Sequence, residues 1–340
     1  MDVNLKKLAL ELNLSISTVS RALQDSHEVG AETKKRVQEL ARKLNYQPNP
    51  YASSLRRQKS KTIAVVIPEI ANNYFALAIN GIEEIAQLKG YHVLIYLTHD
   101  DLNKEVAIAN HLQSGRVDGI IMSLSSETHD SNHLRELINR NIPIVFFDRV
   151  CDDIDTAKVT TDDFESGFKA TEHLIENKCK RIAYLQVSGN LSIGKKRMQG
   201  YFDALQKQEI PFDKSLVLTC GNNNEENFNL IKNLLVSDPS IDGIFASVER
   251  LAITTYHVCR ELGIEIPQKI KIIGFSNLET ASLLSPSLTT ITQPAFDMGK
   301  EAASLLFRGL NKYNTQPLDE HVILNSELIK RDSSALKISY

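Results

Sequence analysis

The 340-residue chain contains no tryptophan, and its four cysteines, Cys151, Cys179, Cys220 and Cys259, lie far apart with no Cys-x-x-Cys pair. With no secretory leader ahead of them, they read as reduced core thiols of a cytoplasmic protein. Charged residues interrupt the first twelve positions, which excludes a signal peptide or anchor there. No uncharged apolar run approaches the roughly 18 residues of a membrane span. No Gly-x-Gly-x-x-Gly follows a strand and no Gly-x-x-x-x-Gly-Lys-Ser/Thr loop occurs, so nucleotide hydrolysis and dinucleotide redox chemistry lack a phosphate cradle. A Gly-x-Ser-x-Gly elbow is missing as well. His129 and His133 are four apart but lack the glutamate of a metalloprotease helix, and they read as surface histidines; His173 reads as a packed side chain. No metal, cofactor or catalytic residue is expected.

Charge is present but unevenly distributed. The net charge is −3, yet residues 1–60 hold 11 Lys+Arg against 6 Asp+Glu, while the remainder holds 28 against 36. A small basic head on an acidic body suggests that the head alone meets a polyanion. In that head, Leu5, Leu8, Ala9 and Leu12 form a helical stripe, with Asn13 where a left-handed cap is expected. Ser15 can cap a second helix over 16–23, in which Val19, Ala22 and Leu23 face inward. A third helix over 31–44 closes the core through Val37, Leu40, Ala41 and Leu44. Two short helices joined by a tight turn make a helix-turn-helix. Ile16, Ser17, Ser20 and Arg21 are left facing outward, a small, polar and cationic surface suited to the major groove. Ile16 and Ser17 would touch base edges, and Arg21 offers a fork for guanine. Thr18, Ser20, Lys34 and Lys35 suit phosphates. A protein-docking three-helix module is the other reading.

Residues 47–60 form a joint. Asn49 can cap and Pro50 can open a short helix to about residue 57, too short to stand alone in water and therefore a switch candidate. Leu55 beside Arg56 pairs an apolar wedge with a cation, a combination that opens a minor-groove base step. An ordinary linker is the alternative.

The run Asn-Leu-Ser-Ile-Ser-Thr-Val-Ser-Arg-Ala-Leu from residue 13, then Glu-Thr-Lys-Lys-Arg-Val, then Leu-Asn-Tyr-Gln-Pro-Asn-Pro-Tyr-Ala-Ser-Ser-Leu-Arg, resembles the DNA-binding head and hinge of the lactose-repressor family of bacterial transcription regulators. The resemblance implies that Ile16, Ser17 and Arg21 stand at base-reading positions and Leu55 at the intercalating hinge position, with Arg56 beside it. Gly30 stands where a capping Ser is commoner, a change of a few tenths of a kcal/mol.

From residue 61 the pattern becomes short apolar runs (62–67, 91–97, 119–122, 143–147) alternating with amphipathic stretches (76–89, 104–113, 131–140), a βαβ series and hence a parallel sheet. A second series follows after 158–161: a helix over 164–177, a strand over 181–186, a helix over 195–206, then strands over 216–219, 243–246 and 271–275 with helices between. The fold expected is α/β: a three-helix helix-turn-helix head plus a two-lobed, doubly wound sensor of the periplasmic-binding-protein type. Its first lobe spans about 61–160 and 292–320, its second about 161–291 and 321–340. Ligands bind at the carboxyl ends of such strands. The loops there carry Asn72, Asn73, Tyr74 and Phe75, then Asp148 and Arg149, Asp162 and Asp163, Arg197, and Ser276 with Asn277. These suit a polyhydroxylated ligand that donates and accepts hydrogen bonds. Asp162 or Asp163 could equally cap a helix, and Arg149 could be a surface charge.

The family resemblance continues through Val117-Asp118-Gly119, Phe146-Phe147-Asp148-Arg149, Arg197-x-x-Gly-Tyr and Leu288-Thr-Thr-Ile-Thr-Gln-Pro294. It implies that Asp148, Arg197 and Gln293 contact the effector. Two departures stand out: Val248-Glu249 where the family usually has Asn-Asp, and Ser276-Asn277 where it often has Asp-Asp. Val248 cannot hydrogen-bond a hydroxyl, so the usual sugar cage is weakened on the second lobe.

Together these features predict a homodimeric, cytoplasmic repressor with no tetramerising tail. It would bind a near-palindromic DNA operator and answer to a small-molecule effector, expected to be a carbohydrate, acting as inducer or corepressor. The competing readings are a solute-binding sensor without DNA function and an enzyme on the same scaffold.

Overall fold

The computed structural model describes residues 4–23, 25–46, 60–187, 191–311 and 319–335, and the chain divides into two units, 1–60 and 61–340. The expected hinge helix, with Leu55 and Arg56, lies outside the described residues.

The first unit holds α1 (Leu5–Leu12), α2 (Ile16–Leu23) and α3 (Ala31–Lys43). Asn4 caps α1 by accepting from the Lys7 amide, and Asn13 ends it at φ 52°, a left-handed conformation Asn tolerates better than most residues. Leu8, Ala9, Val19, Ala22, Val29, Val37 and Ala41 form the core, with Leu5, Leu12, Leu14, Leu23, Leu40 and Tyr46 packed around it. Gly30 precedes α3 without a side-chain cap.

The second unit contains two six-stranded sheets. In chain order its strands and helices are β1 (Thr62–Ile67), α4 (Asn73–Leu88), β2 (His92–Leu97), α5 (Leu102–Leu112), β3 (Gly119–Met122), α6 (Asn132–Asn139), β4 (Ile144–Phe147), β5 (Lys158–Thr161), α7 (Asp163–Glu176), β6 (Ile182–Gln186) and α8 (Ser192–Lys207). They continue with β7 (Val217–Thr219), α9 (Asn224–Ser237), β8 (Gly243–Ala246), α10 (Glu249–Leu262), β9 (Lys271–Phe275), β10 (Thr289–Thr292), α11 (Ala295–Asn311), β11 (His321–Leu324) and β12 (Glu327–Ile329). The first sheet runs β11-β5-β4-β3-β1-β2, parallel throughout; the second runs β12-β10-β9-β8-β6-β7, with only β12 antiparallel. Interior strands such as β1, β3 and β4 are almost wholly apolar and buried because helices cover both faces.

Several details differ from the sequence expectation. α4 starts at Asn73, three residues early, because the Asn72 side chain accepts from the Tyr74 amide and caps it there. Residues 321–324 pair with β5 in the first sheet, so they belong to the first lobe and not the second. The structure adds α11 and the strands β5, β10, β11 and β12 to the elements expected. His133 is buried, not superficial: its Nε2 lies 2.9 Å from Glu105, a buried carboxylate that also accepts from the Ser125 amide and the Thr128 hydroxyl. α6 turns that face inward and Glu105 supplies the partner that makes burial tolerable.

The chain passes between lobes three times, after β5, β10 and β11. Asp162 holds this junction: Oδ1 accepts from the Ser326 amide (2.7 Å) and the Ser166 hydroxyl (3.0 Å), while its own amide donates to the Leu324 carbonyl. Two helix crossings are set by close approach. A Cβ on Gly81 or Gly299 would strike the carbonyl of Phe296 or Ala78, drawing α4 onto α11, and one on Gly200 would strike the Phe164 carbonyl, drawing α8 onto α7.

Candidate functional site

In the first unit, α2 presents its outer face as expected. Val19 and Ala22 are buried, whereas Ile16, Ser17 and Arg21 are exposed and Thr18 and Ser20 half-buried. The Ser15 hydroxyl accepts from the Thr18 amide (3.1 Å) and sits 2.7 Å from the Ser17 hydroxyl and 2.8 Å from that of Thr18. One cap thus fixes the start of the helix and orients the two hydroxyls beside it. Arg21 is paired with Glu28 at 3.0 Å, both at least half exposed, a contact worth at most about 1 kcal/mol and easily exchanged for another partner. Lys34 is tied to the Asp25 carboxylate at 2.8 Å, which also holds that carboxyl below its usual range.

In the second unit the strand ends of the two sheets meet around a chamber of about 60 Å³, lined among others by Phe75, Asp148, Arg149, Arg197, Val248, Ser276, Asn277 and Gln293. Phe75, Asp148, Arg149, Arg197, Ser276, Asn277 and Gln293, placed at the cleft from sequence, therefore converge there with Val248 and Asn72. Asp162 and Asp163 are not among the lining residues, and Asn73 stands at the edge, where its Nδ2 donates to Glu249 Oε1 (3.1 Å). Glu249, not anticipated as a contact, also accepts from the Ser276 hydroxyl at 2.6 Å and so ties α4 of the first lobe to β9 of the second. Its sequence signal was the departure at 248–249, since a carboxylate one methylene longer than the usual Asp reaches across the cleft. Tyr74, named from sequence with its neighbours, also lines the chamber, as do Ile193 and Phe275, which sequence reasoning missed; Phe275 ends an otherwise apolar strand and carries no separate signal.

Most of the polar groups are paired with one another. Arg197, buried, donates from Nε to Asp163 (2.8 Å) and from Nη1 to the Ser247 carbonyl (2.7 Å), with its guanidinium 3.6 Å from the centre of the Phe275 ring. Asp163 Oδ2 is buried with no hydrogen-bond partner among the described residues. Despite the ion pair its carboxyl is held above its usual range, because burial outweighs Arg197. Asp148 sits at the end of β4 with φ 60° and only 6% exposure. Burial raises it to about 6 against the opposing pull of Arg149 and Arg197. Asn277 Nδ2 donates to the Gln293 carbonyl (2.7 Å), and Gln293 Nε2 to the Thr161 hydroxyl (3.0 Å), joining both lobes at the crossing. Arg149 is no surface charge: it donates to Asp100, whose carboxylate also accepts from the Ser126 amide.

Asn72, Arg149, Val248 and Glu249 also line a neighbouring, larger space of about 680 Å³. This mixture of donors, acceptors and apolar faces suits a small polyhydroxylated molecule. The four cysteines are free and buried, and burial pushes Cys179 and Cys259 up to about 12, far from reactivity. Among the described residues no group of His, Cys, Asp and Glu could hold a metal, and no helix is long and apolar enough to cross a membrane.

Comparison with known proteins gives concordant matches. Residues 4–49 match the family described as bacterial regulatory proteins, lacI family, and residues 60–330 match periplasmic binding proteins and sugar binding domain of LacI family. The HTH-type transcriptional regulator RegA of Clostridium acetobutylicum is 33% identical over 98% of this chain and 99% of its own. The ribose operon repressor of Bacillus subtilis is 33% identical over 94% of each. The lac repressor dimer bound to operator and the anti-inducer ONPF superposes with a TM-score of 0.84 over 99% of this chain and 100% of that one; at 20% identity this speaks to the fold alone.

Proposed function

The chain belongs to the LacI family of bacterial regulatory proteins, and from that premise we propose which of its residues read DNA and which hold the effector. It is a DNA-binding transcriptional regulator with a sensor of the sugar-binding type. Ile16, Ser17 and Arg21 contact base edges from the exposed face of α2, while Thr18 and Ser20 meet phosphates. Leu55 and Arg56 enter the minor groove between two half-sites of a near-palindromic operator. Asp148, Arg149, Arg197, Ser276, Asn277 and Gln293 bind a saccharide effector, with Phe75 and Val248 as apolar walls and Asn73 closing the edge.

The observation that carries this reading is the convergence of Asp148, Arg197, Ser276 and Gln293, all buried, on one chamber at the strand ends of both sheets. Burying polar and charged groups costs stability unless they are hydrogen-bonded or paired, and a cluster of them at strand ends suits a ligand site. Leu94 and Ile95 on the edge strand β2 are each about two-fifths exposed (42% and 41%), which supports pairing of two copies through the first lobe. Effector binding changes the angle between the lobes and, through residues 47–59, the separation of two heads in a dimer. A DNA partner implies a cytoplasmic protein.

The test is selection of DNA sites from a random pool by the full-length protein, followed by titration of the selected site. Recovery of a two-half-site sequence bound by a dimer is expected. Enrichment of no sequence would overturn the assignment of α2.

A further inference from the structure

Resting on the effector reading above, we infer that the effector is an uncharged saccharide of more than one ring, one end reaching the inner chamber and the bulk lying in the outer one against Phe228 and Arg250. The two volumes make the first argument. About 60 Å³ holds a few waters but not a sugar ring, whereas about 680 Å³ lies well within the size of small-molecule sites. The two spaces share Asn72, Arg149, Val248 and Glu249 as walls, so one ligand can occupy both.

The second argument is the chemistry of the outer walls. Phe228, half-buried on α9, and Val248 offer apolar faces on which a sugar ring can lie. Arg250 in the first turn of α10 is held by the Gly221 carbonyl (3.1 Å) and Asn222 Oδ1 (2.9 Å), leaving its Nε buried with no partner among the described residues. Arg149 Nε, on the opposite lobe, also lacks a hydrogen bond among the described residues, with the Asp148 carboxylate 4.0 Å away. The two arginines line one space from opposite lobes, cations that acceptor oxygens of a ligand would suit. A phosphate is the wrong one: Glu69, Glu225 and Glu249 line the same space, and Asp100 already neutralises Arg149. Hydroxyls, which accept from the arginines and donate to the carboxylates, satisfy both sets.

The experiment is calorimetric titration of the full-length protein with glucose and ribose, with cellobiose, maltose and trehalose, and with glucose 6-phosphate. At least one disaccharide is expected to bind at least tenfold more tightly than either monosaccharide, and the phosphate ester no more tightly than glucose. Because Phe228 also packs on the second-lobe core, Phe228→Leu, which keeps apolar volume but loses the ring face, is the variant to use. It should weaken the disaccharide tenfold while leaving monosaccharide binding and the melting temperature unchanged. Monosaccharides bound as tightly as disaccharides would overturn the outer subsite and leave the effector reading standing, as would a preference for the phosphate ester. Binding of no saccharide of either length would overturn both.

Discussion

Replacing Asp148 by Asn should stabilise the second unit, and more so at higher pH. Asn accepts φ near +60° as readily as Asp, so the backbone at the end of β4 is undisturbed. The Asp148 carboxyl is raised from 3.8 to about 6, chiefly by burial. Between these values the folded protein holds a proton that the unfolded chain has released, so this residue's contribution to stability falls as pH rises and is lowest above pH 6. At ~1.4 kcal/mol per tenfold change in proton affinity, the residue costs roughly 3 kcal/mol at pH 7.5, where it is charged, and about half that at pH 5, where the folded protein has taken up the proton. Asn has no such dependence. The amide differs from a protonated carboxyl by a constant offset, so the pH-dependent part, ~1.5 kcal/mol between pH 5 and 7.5, is the quantity to read. It corresponds to about 3 °C in melting temperature for a domain of this size. Scanning calorimetry of both proteins at the two pH values is the assay. An equal difference at both, or a larger gain at pH 5, would refute the burial argument. The same variant should bind saccharide more weakly, the reason a destabilising carboxylate is kept.

Arg21→Ala should relax base preference at one position in each half-site, costing roughly 1–3 kcal/mol there, while Glu28→Ala, which only frees Arg21, should leave the preference intact; site-variant titrations separate the two. Gly200→Ala should lower stability by about 1–3 kcal/mol by pushing α8 off α7, read as a drop in the denaturation midpoint. Thiol reagents at pH 8 should label none of the four cysteines in the native protein and all four in denaturant; fast labelling of Cys179 without unfolding would contradict its burial.

How far these features can be read from sequence depends on the range of the interactions that make them. The head is almost wholly local: the stripe of Leu5, Leu8 and Ala9, the Asn13 cap and the Ser15 cap each lie within a few residues of what they affect. The cleft was legible as a group of polar strand-end loops, and Asp148, Arg149, Arg197, Ser276, Asn277 and Gln293 do line one chamber. What sequence could not supply depends on contacts far along the chain. Residues 321–324 fall into the first sheet only through pairing with β5, some 160 residues earlier. His133 looks like any histidine in a polar stretch until Glu105 is brought beside it. Glu249 becomes a cross-cleft tie only when Asn73 and Ser276 face it.

If the chamber between the lobes governs DNA binding by the head, operator affinity of the full-length protein should respond to increasing concentrations of a saccharide shown to bind it. A change of at least fivefold is expected in the wild type, saturating at the saccharide's own dissociation constant, and none at those concentrations in Asp148→Asn. A saccharide that saturates the sensor while operator affinity stays constant would contradict this expectation.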